Sequence, residues 1–284
     1  MSAKILPAYQ LWSMLYRPIV YKICIKPEGK KMKTIQCLIA AAAALMVCAT
    51  AQARTLEQIR KDGKIIIATE GAYPPFNYFE GSKLSGFEIE LGEAIMKKAG
   101  LKIEWKTLGF DALLSGLRQD RWDAVIDSVG ITEERAKAVS FATPYYCSGG
   151  VIASKNPAIL TVAALNGKVV AVQTGSTYME QLNKLPGVKV KNFPQDTDAR
   201  AALLNNRADA WVGDRFAVKA ALAKQPDGGM RMGAYLFIEQ IAIAVQKGNT
   251  QLAGAIDKAQ REVVADGTFK ALSEKYFQED IRCK

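Results

Sequence analysis

The sequence contains no histidine. That removes Ser-His-Asp and Cys-His nucleophilic catalysis and every His-ligated metal site. Cysteine is scarce: Cys24, Cys37 and Cys48 sit near the N-terminus, leaving Cys147 and Cys283 in the body of the chain. Two distant cysteines make no zinc site. They could form a disulfide, although spacing alone does not show that they meet. No run of eighteen apolar residues occurs, so no membrane span is predicted. What remains, 49% hydrophobic and 23% charged, is ordinary globular material for one or two cores.

The N-terminus reads as a leader. Lys30, Lys31 and Lys33 form a basic stretch, Ile35 to Val47 is apolar apart from Gln36, and Ala51-Gln52-Ala53 is a small-x-small cleavage pattern. These are the three parts of a secretory signal peptide, with cleavage expected after Ala53. Leu45-Met46-Val47-Cys48 is a poor lipoprotein box because Val47 is large. Residues 1–53 carry seven Lys/Arg and one acid, so their removal takes the formal charge from +10 to +4. No basic stripe is then left to support nucleic-acid binding.

Beyond the leader, strand and helix patterns alternate, which implies an α/β fold. Lys64–Ala68 is a continuous apolar run, as in a buried parallel strand. Phe110, Leu113, Leu114 and Leu117 make an amphipathic helical stripe. Asp123–Ile126 and Ile241–Val245 read as further strands. The order then recurs. Lys168–Val172 repeats the first strand, with Gly175 offset as Gly71 is, and Arg207-Ala-Asp-Ala210 repeats Arg121-Trp-Asp-Ala124. Two similar lobes are expected: residues 54–147 plus 243–284, and residues 148–242. Two strand crossings between them would form a hinge. Ligands bind beyond the carboxyl ends of strands in open parallel sheets. Those ends are Glu70, Asp127-Ser128, Ser176-Thr177 and Asp214.

Three segments carry a family resemblance: Ala68-Thr-Glu-Gly-Ala-Tyr-Pro-Pro-Phe76, Gly86-Phe-Glu-Ile-Glu-Leu91, and Ile131-Thr-Glu-Glu-Arg135 with Phe141-Ala-Thr-Pro-Tyr-Tyr146. The chain resembles the polar amino-acid solute-binding family of ABC importers, of the lysine/arginine/ornithine/histidine- and glutamine-binding kind. The resemblance implies a periplasmic, type II-like clamshell. Each lobe would be a mostly parallel sheet flanked by helices, without a cofactor or catalysis. It also implies a monomer that delivers a free amino acid to an inner-membrane ABC permease.

The family's ligand residues fall on this sequence one at a time. Arg135 matches the arginine that forks onto the ligand α-carboxylate; without the resemblance it would read as a surface helix arginine. Ser176 and Thr177 match carboxylate donors, and equally read as a helix N-terminus. Asp214 matches the partner of the α-ammonium and could also cap the following helix. Tyr73 and Phe110 match aromatic walls, although Phe110 also suits the core. Ser128 matches a further contact. Gly130 stands where relatives carry Ser or Thr, and Asp127 adds a charge where they often have none.

Glu70 and Asp127 together favour a basic ligand: arginine, lysine or ornithine. If both acids bond within their own loops, glutamine fits instead. An alternative on the same scaffold is an enzyme resembling cyclohexadienyl or arogenate dehydratase, with Glu70 or Asp127 as general acid.

Overall fold

The computed structural model describes residues 53–283; the expected leader, apart from Ala53, lies outside the described residues. The chain enters through Thr55, whose hydroxyl accepts from the Gln58 N–H in a capping box and starts helix α1, Leu56–Asp62. Gly63, at φ +67°, closes it, because that left-handed conformation carries no penalty without a Cβ. Arg54 is anchored beside this helix by ion pairs to Asp123 and Asp62.

The first sheet is built on β1, Lys64–Thr69, between β5, Lys102–Thr107, and β6, Ala124–Val125, all parallel. Two antiparallel strands extend it, β13 (Ala244–Gln246) and β7 (Val139–Phe141). Between β1 and β5 the chain makes a hairpin sheet of β2 (Ala72–Tyr73), β3 (Asn77–Glu80) and β4 (Lys83–Ser85), and then helix α2, Phe87–Lys98. Helix α3, Phe110–Arg118, follows β5 with the expected stripe inward: Leu113 and Leu117 are buried.

The second sheet repeats the plan. Strand β9, Val169–Gln173, lies between β10, Lys189–Phe193, and β11, Ala210–Asp214, all parallel. Two long antiparallel strands complete it, β8 (Tyr146–Ser154) and β12 (Arg231–Ile241). Helices α5 (Thr177–Leu182), α6 (Asp196–Leu204) and α7 (Arg215–Lys224) supply its cover. Short helix α4, Glu133–Ala138, precedes β7.

Each sheet has apolar packing on both faces, in four separate clusters. The largest holds Phe76, Phe87, Leu91 and Ile95 with Phe269 and Phe277. The last two both come from the C-terminal helix α9 (Thr268–Phe277), which packs with α8 (Thr250–Ala265) against α2. A disulfide joins Cys147, at the start of β8, to Cys283.

The structure divides two expected strands differently. Of Asp123–Ile126 only Ala124–Val125 is strand; the flanking Asp123 and Ile126 N–H groups still donate to Ile66 O and Ala68 O, while the Asp123 carboxylate accepts from the Ile66 N–H. Ile241–Val245 is not one strand. β12 ends at Ile241 in the second sheet, and β13 starts at Ala244 in the first. All five residues are buried, so apolarity could not mark the break. The Ala242 N–H donates to Val129 O and the Ala142 N–H to Ile243 O across the transfer.

Candidate functional site

The C-terminal ends of β1, β6, β9 and β11 converge on one cleft. Tyr73, Phe110, Ser128, Arg135, Gln173, Ser176, Thr177 and Tyr178 line it. The free space there is only about 10 Å³, roughly one water.

Arg135 lies on α4, which Thr132 caps by accepting from the Arg135 N–H. Its guanidinium bridges the lobes. One end donates to Gly130 O at 2.9 Å and the other to Gly175 O at 2.9 Å. The fork stands 5.9 Å from the Phe110 ring and 4.0 Å from the Glu180 carboxylate. Burial lowers its pKa from the usual arginine value, with Glu180 and Glu239 opposing.

Buried carboxylates stand at the strand ends around the cleft. Glu70, just beyond β1, accepts from Gln173 Nε2 at 2.8 Å across the cleft, and its Oε1 has no partner among the described residues. Asp127 accepts from the Thr69 hydroxyl at 2.8 Å and the Glu70 N–H at 2.9 Å; its Oδ2 has none. Asp214 caps α7 by accepting from the Phe216 and Ala217 N–H groups, and its Oδ2 likewise has none. Burial is the first cause that raises all three. Asp127 is pushed up to about 8, and Asp214 to about 7. Glu70 rises well above the carboxylate range, with Asp127 adding repulsion.

Tyr73 is buried on the hairpin sheet, where its ring stacks on Phe76 at 5.4 Å. Its hydroxyl accepts from the Asp214 N–H at 3.3 Å, a third bond between the lobes. Ser128 has left-handed backbone, φ +48°, and its N–H and hydroxyl both donate to Glu88. The Ser176 hydroxyl accepts from the Met179 N–H and donates to Gln173 O, so it works as a helix cap. Thr177 donates its hydroxyl to Glu239 Oε2 at 2.8 Å.

Gln173, Tyr178, Glu88 and Glu239 are additions that the sequence reading did not single out. Glu88 is wholly buried and accepts from Asn77, from Ser128 and from the Tyr145 hydroxyl. An acid on the same helical face as Leu91 and Ile95 was the available signal. Glu239 has a subtler one: alternation along Phe237-Ile238-Glu239-Gln240-Ile241 turns Glu239 and Ile241 inward and leaves Ile238 76% exposed. Asp196 completes the acids. It accepts from Trp211 Nε1 at 2.8 Å and is raised by burial to about 7. Among the described residues no three acids are placed to hold a metal ion.

Such a cleft between two sheets, one guanidinium and several acids at strand ends, suits a small zwitterion or cation. A family model for bacterial extracellular solute-binding proteins, family 3, matches residues 65–279, and the chain belongs to that family. It is 34% identical over 249 residues to the L-cystine-binding protein TcyJ of Escherichia coli strain K12, covering 86% of this chain and 93% of that protein. It is 31% identical over 220 residues to ABC transporter arginine-binding protein 1 of the same strain, covering 75% and 90%. Among solved structures it is similar to an ancestral arginine-binding protein. With arginine bound, that structure shows 38% identity and TM-score 0.72 over 76% of this chain and 98% of the other. With glutamine bound, it shows 39% identity and TM-score 0.72 over 76% and 99%. The fold is the two-lobed clamshell of amino-acid solute-binding proteins of ABC transporters.

Proposed function

We propose that the protein captures a free amino acid with a basic side chain in the periplasm and presents it, as a monomer, to an inner-membrane ABC permease. Residues 1–53 would be its removed leader. Residues 54–147 plus 243–284 and residues 148–242 would be the bodies that close on the ligand, by bending at the two crossings between β7 and β8 and between β12 and β13.

The observation that carries the basic preference is the set of carboxylate oxygens on Glu70, Asp127 and Asp214, buried and without a partner among the described residues. Buried carboxylates without partners are costly. A ligand cation supplies the missing partner. In this reading the α-carboxylate meets Arg135, with Ser128, Ser176 and Thr177 around it. The α-ammonium meets Asp214 beside Gly130. The side chain passes between Tyr73 and Phe110 to Glu70 and Asp127. Arginine- and cystine-binding relatives support an amino acid as cargo. Glutamine bound to a similar structure is the competing choice.

Calorimetric competition among arginine, lysine, ornithine, glutamine and glutamate tests the reading. Arginine, lysine or ornithine is expected to win. Glu70→Gln and Asp127→Asn are each expected to weaken that ligand by about 2 kcal/mol, roughly 30-fold. A wild-type preference for glutamine or glutamate, or basic-ligand affinity unchanged in both variants, would overturn it.

A further inference from the structure

We propose that the cleft also takes dications without a carboxylate, amines bearing the tail of arginine or lysine, because Glu239 supplies from the protein the carboxylate such ligands lack. This rests on the cation-site reading above and goes beyond it to a second ligand class.

Glu239 reaches the cleft from β12 and is 7% exposed. Its Oε2 accepts from the Thr177 hydroxyl at 2.8 Å, and its Oε1 is buried with no partner among the described residues. A threonine hydroxyl has one hydrogen to give. While Thr177 donates to Glu239 it cannot donate to a ligand α-carboxylate, the role that the resemblance assigns it.

Gly130 makes this arrangement possible. A Cβ there would overlap Glu239 Oε2 and crowd Thr177 Cγ2 at 3.1 Å. A serine or threonine at 130 would displace the Glu239 carboxylate. The missing side chain at 130 and the acid at 239 are thus two halves of one feature.

The charges then sort into two ends. At one, Asp214 Oδ2 and Glu239 Oε1 lack partners among the described residues; at the other, Glu70 Oε1 and Asp127 Oδ2 lack them. Arg135, the arginine among the described cleft-lining residues, already donates to two backbone carbonyls. A ligand α-carboxylate entering between Arg135 and Thr177 would meet the Glu239 carboxylate, and like charges in a desolvated site repel. A second ammonium meets acceptors at both ends. Burial raises Glu239, with Thr177, Tyr178 and Arg135 opposing, and Glu239 adds to the rise of Asp214.

The test uses matched pairs that differ only in the carboxylate: arginine against agmatine, and lysine against cadaverine. They are titrated calorimetrically into the mature protein, Glu239→Gln and Gly130→Ser. In the wild type each amine is expected to bind within tenfold of its amino acid, or more tightly. Glu239→Gln should weaken each amine at least tenfold relative to its amino acid. Gly130→Ser should shift the ratio the same way. If the amino acids bind and both amines are more than tenfold weaker, the inference falls while the basic amino-acid reading stands. Amine-to-amino-acid ratios unchanged in Glu239→Gln would remove Glu239 from the explanation. If none of the four binds and glutamine does, both readings fall. The wild-type pairs decide even where a variant fails to fold.

Discussion

In the first lobe the chain leaves β1 through Glu70 and Gly71 into a hairpin sheet, and the next long helix begins only at Phe87. In the second it leaves β9 through Thr174 and Gly175 straight into α5 at Thr177. The parallel strands on either side pair alike in both lobes. The strand ends therefore differ in what they offer. The second lobe presents hydroxyls and helix-start N–H groups, which suit an anion. The first presents Glu70 and Asp127, which suit a cation, with the Gly71 N–H already taken by Asn77 Oδ1. One plan used twice gives opposite chemistry, because the segment after the first strand decides which group ends up in the cleft. Arg135 and Glu239 cross that division: the first-lobe cation reaches Gly175 O, and Glu239, on the second sheet, sits against Gly130.

Breaking the crossing at Arg135 should have the largest effect. Arg135→Ala is expected to weaken amino-acid binding by about 3 kcal/mol, since a buried carboxylate loses its charged partner. Calorimetry reads this loss. Ligand-free stability should fall by only about 1 kcal/mol, because the two bonds lost run to backbone carbonyls that water can reach once the lobes part. Wild-type affinity in the variant would mean that Arg135 is a strut between Gly130 and Gly175 and holds no ligand.

The plan of this molecule was legible in its sequence wherever a period or a repeat expressed it. The stripe from Phe110 to Leu117 faces the core, with Leu113 and Leu117 buried and Phe110 and Leu114 partly so, and the recurring apolar strands at 64 and 168 lie in two sheets of the same order. Cleft residues at strand ends followed from topology. The caps at Ser176 and Asp214 were legible as well. Hydrogen bonding across the cleft was not, because it depends on partners far away in sequence. Glu70 bonds Gln173, 103 positions on, rather than its own loop. Glu239 was hidden because a lone acid in the strand Arg231–Ile241 looks like a solvated residue. Only the neighbouring Gly130, opposite it in space, gives that acid its place.

The cation-seeking end can be sharpened by pH. Asp127 at about 8, and Asp214 and Asp196 at about 7, stand above their unfolded values, so between pH 5 and 8 the folded protein holds more protons than the unfolded one. Ligand-free stability should then fall as pH rises through that window, by up to about 1.4 kcal/mol per pH unit for each excess proton. A basic ligand pairs with these acids and displaces the protons, so its affinity should rise over the same range. Affinity for a neutral amino acid should rise less, because its α-ammonium meets Asp214 but its side chain leaves Asp127 protonated. Asp127→Asn should flatten both slopes. Thermal unfolding and calorimetry across pH check this, and a basic ligand that binds equally at pH 5 and 8 would show that the acids are already ionised in the free protein.

The smallest effect probes the anion-seeking end. The Ser176 hydroxyl is engaged twice, accepting from the Met179 N–H and donating to Gln173 O. If the second lobe holds a ligand carboxylate there, it does so through backbone N–H groups, with Ser176 keeping those groups in place. Ser176→Ala removes the cap and should cost about 1 kcal/mol of stability. In a chain of this size that lowers Tm by roughly 2–4 °C. Affinity for arginine should change by less than about threefold, since losing a neutral bond made within the helix start is worth no more than a fraction of its stability. The opposite pattern, an unchanged Tm with a tenfold loss of affinity, would mean that the hydroxyl turns away from Met179 to meet the ligand. The first lobe offers the control. Thr132 caps α4 by accepting from the Arg135 N–H. Thr132→Ala should cost a similar amount of stability, and should also weaken ligand binding, because the helix it starts carries the cation itself.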